Sequence, residues 1–270
     1  MPAAASNSFQ YLLLRLLIGA LYVRRGTILV KQGTDYSIFP AAPQVRSGRL
    51  AVDHALAQFG RAGGGSAYIA HTASLNRTIY RDLLAEYSNY FIQRASGSHV
   101  AAFLSVYRII ERISFTAPLI SVLSSRDHVK YFDTLKSFFG GKDEGELKLL
   151  SRCIGSGHFV ESAFLDLPVA VTFNSPSGYA SDHFAVAKSY LADKFYLSDP
   201  SLARFELKVR DCADACVVLR NRFFHFASGG WQNNISLVSL KDPDEFFACL
   251  NDGIFPVIAL LGLSLIEKDG

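Results

Sequence analysis

Several things are scarce in this sequence, and each scarcity narrows the reading. There are four cysteines in 270 residues, at positions 153, 212, 216 and 249. They are too few and too scattered for a secreted disulfide framework, so a reducing cytoplasm is the expected setting. Cys212 and Cys216 are spaced for one helix face, but no second Cys or His pair follows at zinc spacing. They read as small core residues, and neither a metal nor a cofactor is expected. Charge of one sign is also scarce, with 27 Lys and Arg against 24 Asp and Glu. A nucleic-acid partner would therefore have to meet a local concentration of positive charge. Long uninterrupted apolar runs are missing too. Residues 9–24 (FQYLLLRLLIGALYVR) carry Arg15 in their middle and lack the leading basic residues of a signal peptide. Ile254–Ile266 is broken by Pro256 and Gly262. Both runs fall short of the roughly 20 residues that span a bilayer. They are expected to be buried or partner-packed helices, with no membrane partner.

What the chain does have is core material. Half of its residues are hydrophobic and 13% are aromatic, which excludes a disordered chain. The Gly60–Ser66 stretch (GRAGGGS) reads as a flexible joint. It divides an N-terminal extension, 1–66, from a helical domain, 67–270. Within the extension, Thr27–Lys31 and Tyr36–Phe39 are β-prone, with Gly33 and Asp35 between them, which suggests a small hairpin.

Beyond the joint the pattern is helical, and the fold class is mostly α. Arg81–Ala95 carries Leu84, Tyr87 and Phe91 at helical spacing, and Ser96-Gly97 ends it. A second helix is capped by Ser98 and is expected to run to Ala117, where Pro118 interrupts it. Shorter helices are expected over His128–Phe139, Asp143–Cys153 and Asp182–Phe195, with a strand at Val169–Phe173. Asp199-Pro200-Ser201 then reads as a helix start. From there Leu202, Phe205, Val209, Cys212, Cys216, Leu219, Phe223 and Phe226 recur at spacings of three and four. That is one apolar seam, the mark of a single long helix. Asp242-Pro243-Asp244 opens the last helical region.

Late in the long helix stands Arg220-Asn221-Arg222-Phe223-Phe224-His225. Arg followed by His at such a spacing is not distinctive, because Arg49…His54, Arg94…His99 and Arg152…His158 also occur. The fourth instance differs in having Asn directly after the Arg and in lying wholly inside a helical pattern. At ~100° per residue, Asn221 and His225 point ~200° and ~240° from Leu219 at the centre of the seam. Arg220, ~100° off, can swing its long side chain toward them. Val217 and Phe224 would place apolar area beside this trio, as a partner interface requires. A histidine in the last turn is favoured in its protonated form by the helix dipole and suits proton transfer. Arginine offers a planar fork of donors to phosphate oxygens. The set can support metal-free RNA cleavage.

This R-N-x-x-x-H string, late in a helix of an all-helical domain, resembles the HEPN superfamily over roughly residues 80–265. The resemblance implies a helical bundle that dimerises, with a composite site at the dimer seam. It implies metal-independent endoribonuclease activity in toxin, phage-defence or abortive-infection systems, and hence a neutralising or triggering partner protein. Arg220 would be the phosphate clamp, Asn221 the orienting polar residue and His225 the acid/base. An acidic residue on an earlier helix would be Glu111, in the run YRIIER. Arg222 and Arg210 would extend a basic track for the RNA backbone. Members neutralised by a nucleotidyltransferase carry Tyr three residues after the His. Here that position is Ser228, so that route of control is not implied. The competing expectation is a non-catalytic helical module whose same face binds RNA or a partner chain.

Overall fold

The computed structural model describes residues 8–37, 48–61, 64–72, 74–123, 136, 146–157, 159–224 and 234–270. The described residues are mostly helical, with two small antiparallel sheets among them. Helix α1 (Phe9–Leu17) buries Leu13, Leu14, Leu16 and Leu17 completely. It ends at Gly19, whose φ of +76° suits glycine, and Arg15 escapes the core by donating from Nη2 to Ala20 O at 2.9 Å. The hairpin follows at once as β1 (Tyr22–Arg25) and β2 (Ile28–Lys31), turning at Gly26-Thr27. The hairpin predicted from Thr27–Lys31 and Tyr36–Phe39 is thus shifted. Tyr22 and Val23 leave the apolar run to pair with Lys31 and Val30. Tyr36 closes onto α1 instead, its N–H donating to Leu17 O, while Ile38 and Phe39 lie outside the described residues.

Helices α2 (Gly48–Gln58) and α3 (Gly64–Thr72) flank the Gly60–Ser66 stretch, so a boundary drawn at residue 66 falls inside α3. The heart of the protein is α4 (Arg77–Ala95), α5 (His99–Leu123) and the last helix, α10 (Pro243–Asp269), which pack on one another. α1 packs on α4 and α10, which puts the N-terminal segment into the same core. Tyr87, Tyr90 and Phe91 of α4 close around Phe255 of α10. The Tyr90 ring stacks on Phe255 at 3.6 Å, and Tyr87 Oη donates to Ile258 O at 2.8 Å. Gly262 lets the Tyr87 hydroxyl come this close, because a Cβ there would collide with it.

Two expected helix breaks do not occur. α5 runs through Pro118, whose lost hydrogen bond is offset by burial of Ala117 and Ile120 on the same stretch. α10 likewise runs through Pro256, one 27-residue helix that is the core helix expected here. By length and composition α10 could cross a membrane, but 72% of its most apolar stretch is buried inside the protein. Asp242 caps it, accepting from Glu245 N at 3.0 Å.

Helix α6 (Glu146–Gly155) occupies most of the expected 143–153 region, while the helix expected over 128–139 lies outside the described residues apart from Lys136. The short α7 (Ser162–Leu165) leads to β3 (Pro168–Thr172), and α8 (Ala180–Leu191) follows.

The largest correction concerns the seam from Leu202. It is three elements. Pro200–Leu202 is a 3-10 turn capped by Asp199, with Leu202 59% exposed. Ala203 takes a left-handed φ of 46°, and Arg204–Lys208 is then a strand, β5, paired with β3 on one side and with β4 (Leu197–Asp199) on the other. Among the described residues of the seam, only Val209–Phe224 is α-helix, α9. The spacing of Phe205 to Val209 fits a helix, but the alternation Phe205-Leu207 between Arg204, Glu206 and Lys208 is a period of two. Sheet partners on both sides decided between them. α10 crosses β3 at Gly253, where a Cβ would strike Ala170 O and Val171.

Candidate functional site

α9 presents Val209, Cys212, Cys216 and Leu219 to the core, all fully buried or nearly so. Cys212 and Cys216 are free thiols, raised above the ordinary thiol range by burial, as expected of core residues. Leu219 sets the direction, and Arg220, ~100° further round, meets α5 rather than the open face. Its guanidinium carbon lies 4.4 Å from the centroid of the Tyr107 ring. Its Nη1 donates to Asn221 Oδ1 at 3.1 Å. Its Nε is buried with no hydrogen-bond partner. Arg220 therefore does not swing to the face opposite the core. A ring that covers the stem and attracts the cation is nearer.

Tyr107 connects Arg220 to Glu111. The two α5 residues are one helical turn apart, and Tyr107 is 6% exposed while Glu111 is open to solvent. Burial raises the Tyr107 hydroxyl above the ordinary phenol range. Hydrogen bonding to Glu111 and its charge push the same way, and the Arg220 cation opposes them. Tyr107 and Glu111 also line a groove of about 560 Å³ between α4 and α5, with Asp82, Arg112, Phe115 and Thr116 among its walls. No ion pair joins Glu111 to Arg220 among the described residues; the ring stands between their roles.

The other predicted residues scatter. Arg222 is ~200° round the helix from Arg220, and its guanidinium sits 6.0 Å from the Tyr190 ring of α8. Arg210, in the first turn of α9, pairs with Asp166 at 2.7 Å. Ten residues, ~15 Å of helix, separate it from Arg220, so the two do not form a continuous track. Phe224 is not an exposed companion of the trio. It packs on Phe223 at 4.8 Å and on Phe247 at 6.3 Å. His225 lies outside the described residues, as do Phe226, Ser228 and Trp231.

Sequence reasoning placed Tyr107 only on the apolar face of its helix. Its signal was present in the i, i+4 step from Tyr107 to Glu111, but the Arg220 contact spans two helices and has no linear mark. Among the described residues no group of three or more His, Cys, Asp or Glu is arranged to hold a metal ion. Comparison with family models, with curated proteins and with solved structures found no match to this chain.

Proposed function

We propose that the protein is a metal-independent endoribonuclease of the HEPN type, acting as a toxin or phage-defence effector on RNA. The observation that carries this reading is the half-buried Arg220 held between the Tyr107 ring and the Asn221 amide, with Nε unfilled. A guanidinium fixed by a ring and an amide loses little freedom when it takes up a phosphate oxygen.

In this reading His225, four residues after Asn221 in the sequence, withdraws the proton of a ribose 2′-hydroxyl. The O2′–P bond forms and the P–O5′ bond breaks, leaving a cyclic phosphate on one product and a hydroxyl on the other. The proton is delivered to the departing O5′. Arg220 stabilises the charge gathered on the phosphoryl oxygens. Asn221 and Tyr107 orient Arg220, and Glu111 sets the polarity beside Tyr107. A second copy of the chain would supply the mirror set, and a regulatory protein would hold the enzyme in check.

The test is cleavage of RNA by purified protein in the presence of EDTA. Wild type is expected to cut. His225→Ala, folded by circular dichroism, is expected to lose roughly 10²–10⁴-fold in rate. Equal cleavage by that variant removes the assignment. The seating of Arg220 on the Tyr107 ring fits a second reading as well, a non-catalytic helical module that binds RNA or a partner with the same helix end. Growth arrest on expression of wild type but not of Arg220→Ala speaks for the nuclease; equal effects speak for the module.

A further inference from the structure

The N-terminal hairpin has no part in the site above, yet its outer face is built for contact. The register of β1 and β2 sorts its side chains onto two faces. Val23, Val30 and Arg25 turn toward α4. The valines pack against the core, and Arg25 Nη1 donates to Asn89 Oδ1 at 3.4 Å. Tyr22, Arg24, Leu29 and Lys31 share the opposite face. Tyr22 is 58% and Leu29 61% exposed, and Lys31 Nζ lies 5.7 Å from the Tyr22 ring centroid.

The two charged side chains on this face, Arg24 and Lys31, are both positive. No Asp or Glu precedes Asp35, while Arg15, Arg24, Arg25 and Lys31 all do. Asp35 itself is buried and engaged by the N–H and hydroxyl of Ser37. On neighbouring α4, Asp82 and Glu86 are paired with Arg81 and Arg108. Asn89, Glu86 and Asp82 lie on one stripe of α4, and Asp82 lines the groove with Tyr107 and Glu111. Seven residues, on the order of 10 Å of helix, separate the hairpin's contact on α4 from that groove.

We propose that this hairpin face docks single-stranded RNA. Tyr22 stacks a base, Arg24 and Lys31 hold flanking phosphates, and Leu29 covers the sugar edge. A π-face and backbone charges engage any base, so this contact binds without selecting sequence. An anionic lipid surface would meet the same cations, but two apolar side chains on a four-residue strand pair are little to insert. The inference rests on the reading of the protein as RNA-directed, and its test is separable from that reading.

Full-length His225→Ala protein is titrated with a short labelled single-stranded RNA at several salt concentrations. Adding Arg24→Glu and Lys31→Glu should weaken binding at least roughly tenfold and flatten the log–log salt slope by about 1.4, for two phosphates at ~0.7 each. Tyr22→Ala should weaken binding roughly tenfold with the slope unchanged, and it decides the matter if the charge-reversed protein does not fold. Lys188→Glu, exposed on α8, should stay within roughly twofold. Unchanged binding by the hairpin variants overturns the proposal. So does loss of binding to phosphatidylserine vesicles with RNA binding intact. Cleavage by wild type alongside hairpin-independent binding sinks only the hairpin. Hairpin-dependent binding without cleavage sinks only the nuclease.

Discussion

Arg220 and His183 are both polar side chains carried into apolar surroundings, and the protein treats them differently. His183 of α8 is completely buried, ringed by Phe173, Tyr179 and Phe246 at centroid distances of 5.9, 6.3 and 5.7 Å. Neither of its ring nitrogens has a hydrogen-bond partner. Arg220 is only half-buried and keeps a ring and an amide. The difference follows from titration. An imidazole can shed its charge and tolerate a sealed aromatic box, and burial does hold His183 below its ordinary range, against the opposing pull of Glu245, Asp242 and Asp182. A guanidinium stays charged, and Arg220 is accordingly left only half-buried, against the Tyr107 ring and the Asn221 amide.

Four measurements break or sharpen that contrast. The largest effect is expected from Phe246→Ala, which removes a wall of the His183 box and the stacking partner of Phe173 at 5.2 Å. It should cost about 3–5 kcal/mol in urea unfolding. A loss under 1 kcal/mol would mean that the box is not tightly packed. Next, Arg220→Ala should lower RNA cleavage by roughly 10²–10³-fold. Arg220→Lys should recover little of it, because an ammonium lacks the planar fork. Full activity in the lysine variant would show that the ring-held geometry is irrelevant.

Third comes pH. The folded pKa of His183 is lowered from 6.5, so the unfolded chain takes up a proton first as pH falls. Stability from this group is fully present above pH 6.5. It declines below that value, by at most about 1.4 kcal/mol per pH unit, until the folded group titrates too. His183→Leu should abolish that decline; an unaltered pH profile of Tm in the variant would contradict the sealed-box account. Glu245 is a separate matter. Hydrogen bonds from the Ser175 and Ser177 hydroxyls lower its pKa from 4.5, so its share is lost only below that value. The smallest effect is expected from Asp242→Ala, which removes the cap of α10 and should cost about 1 kcal/mol.

The mostly helical class, the helices α4 and α10, the strand at β3, the burial of Cys212 and Cys216 and the glycine stop at Gly97 were all legible in the sequence. Each is encoded within a few residues, by periodicity, capping or a turn. The hairpin was displaced because Tyr22 and Val23 extend an apolar run that reads as helix, and only pairing with Lys31 and Val30 takes them out of it. The same holds for Phe205, which satisfies a helical seam and an alternating strand equally well until β3 and β4 are laid beside it. Of the candidate site, Arg220 and Asn221 were visible as neighbours, and their hydrogen bond follows from adjacency.

By itself the sequence determined that this chain folds as helices around an aromatic-rich core, and which helix carries the Arg-Asn pair. Tertiary structure alone decided where the long seam breaks, that proline fails to end α5, and that Arg220 faces Tyr107 while Arg210 and Arg222 go elsewhere. The physical reason is range. Helical period and caps act over a turn or two, but the β3 partner of β5 and the Tyr107 ring beside Arg220 come from segments outside that window.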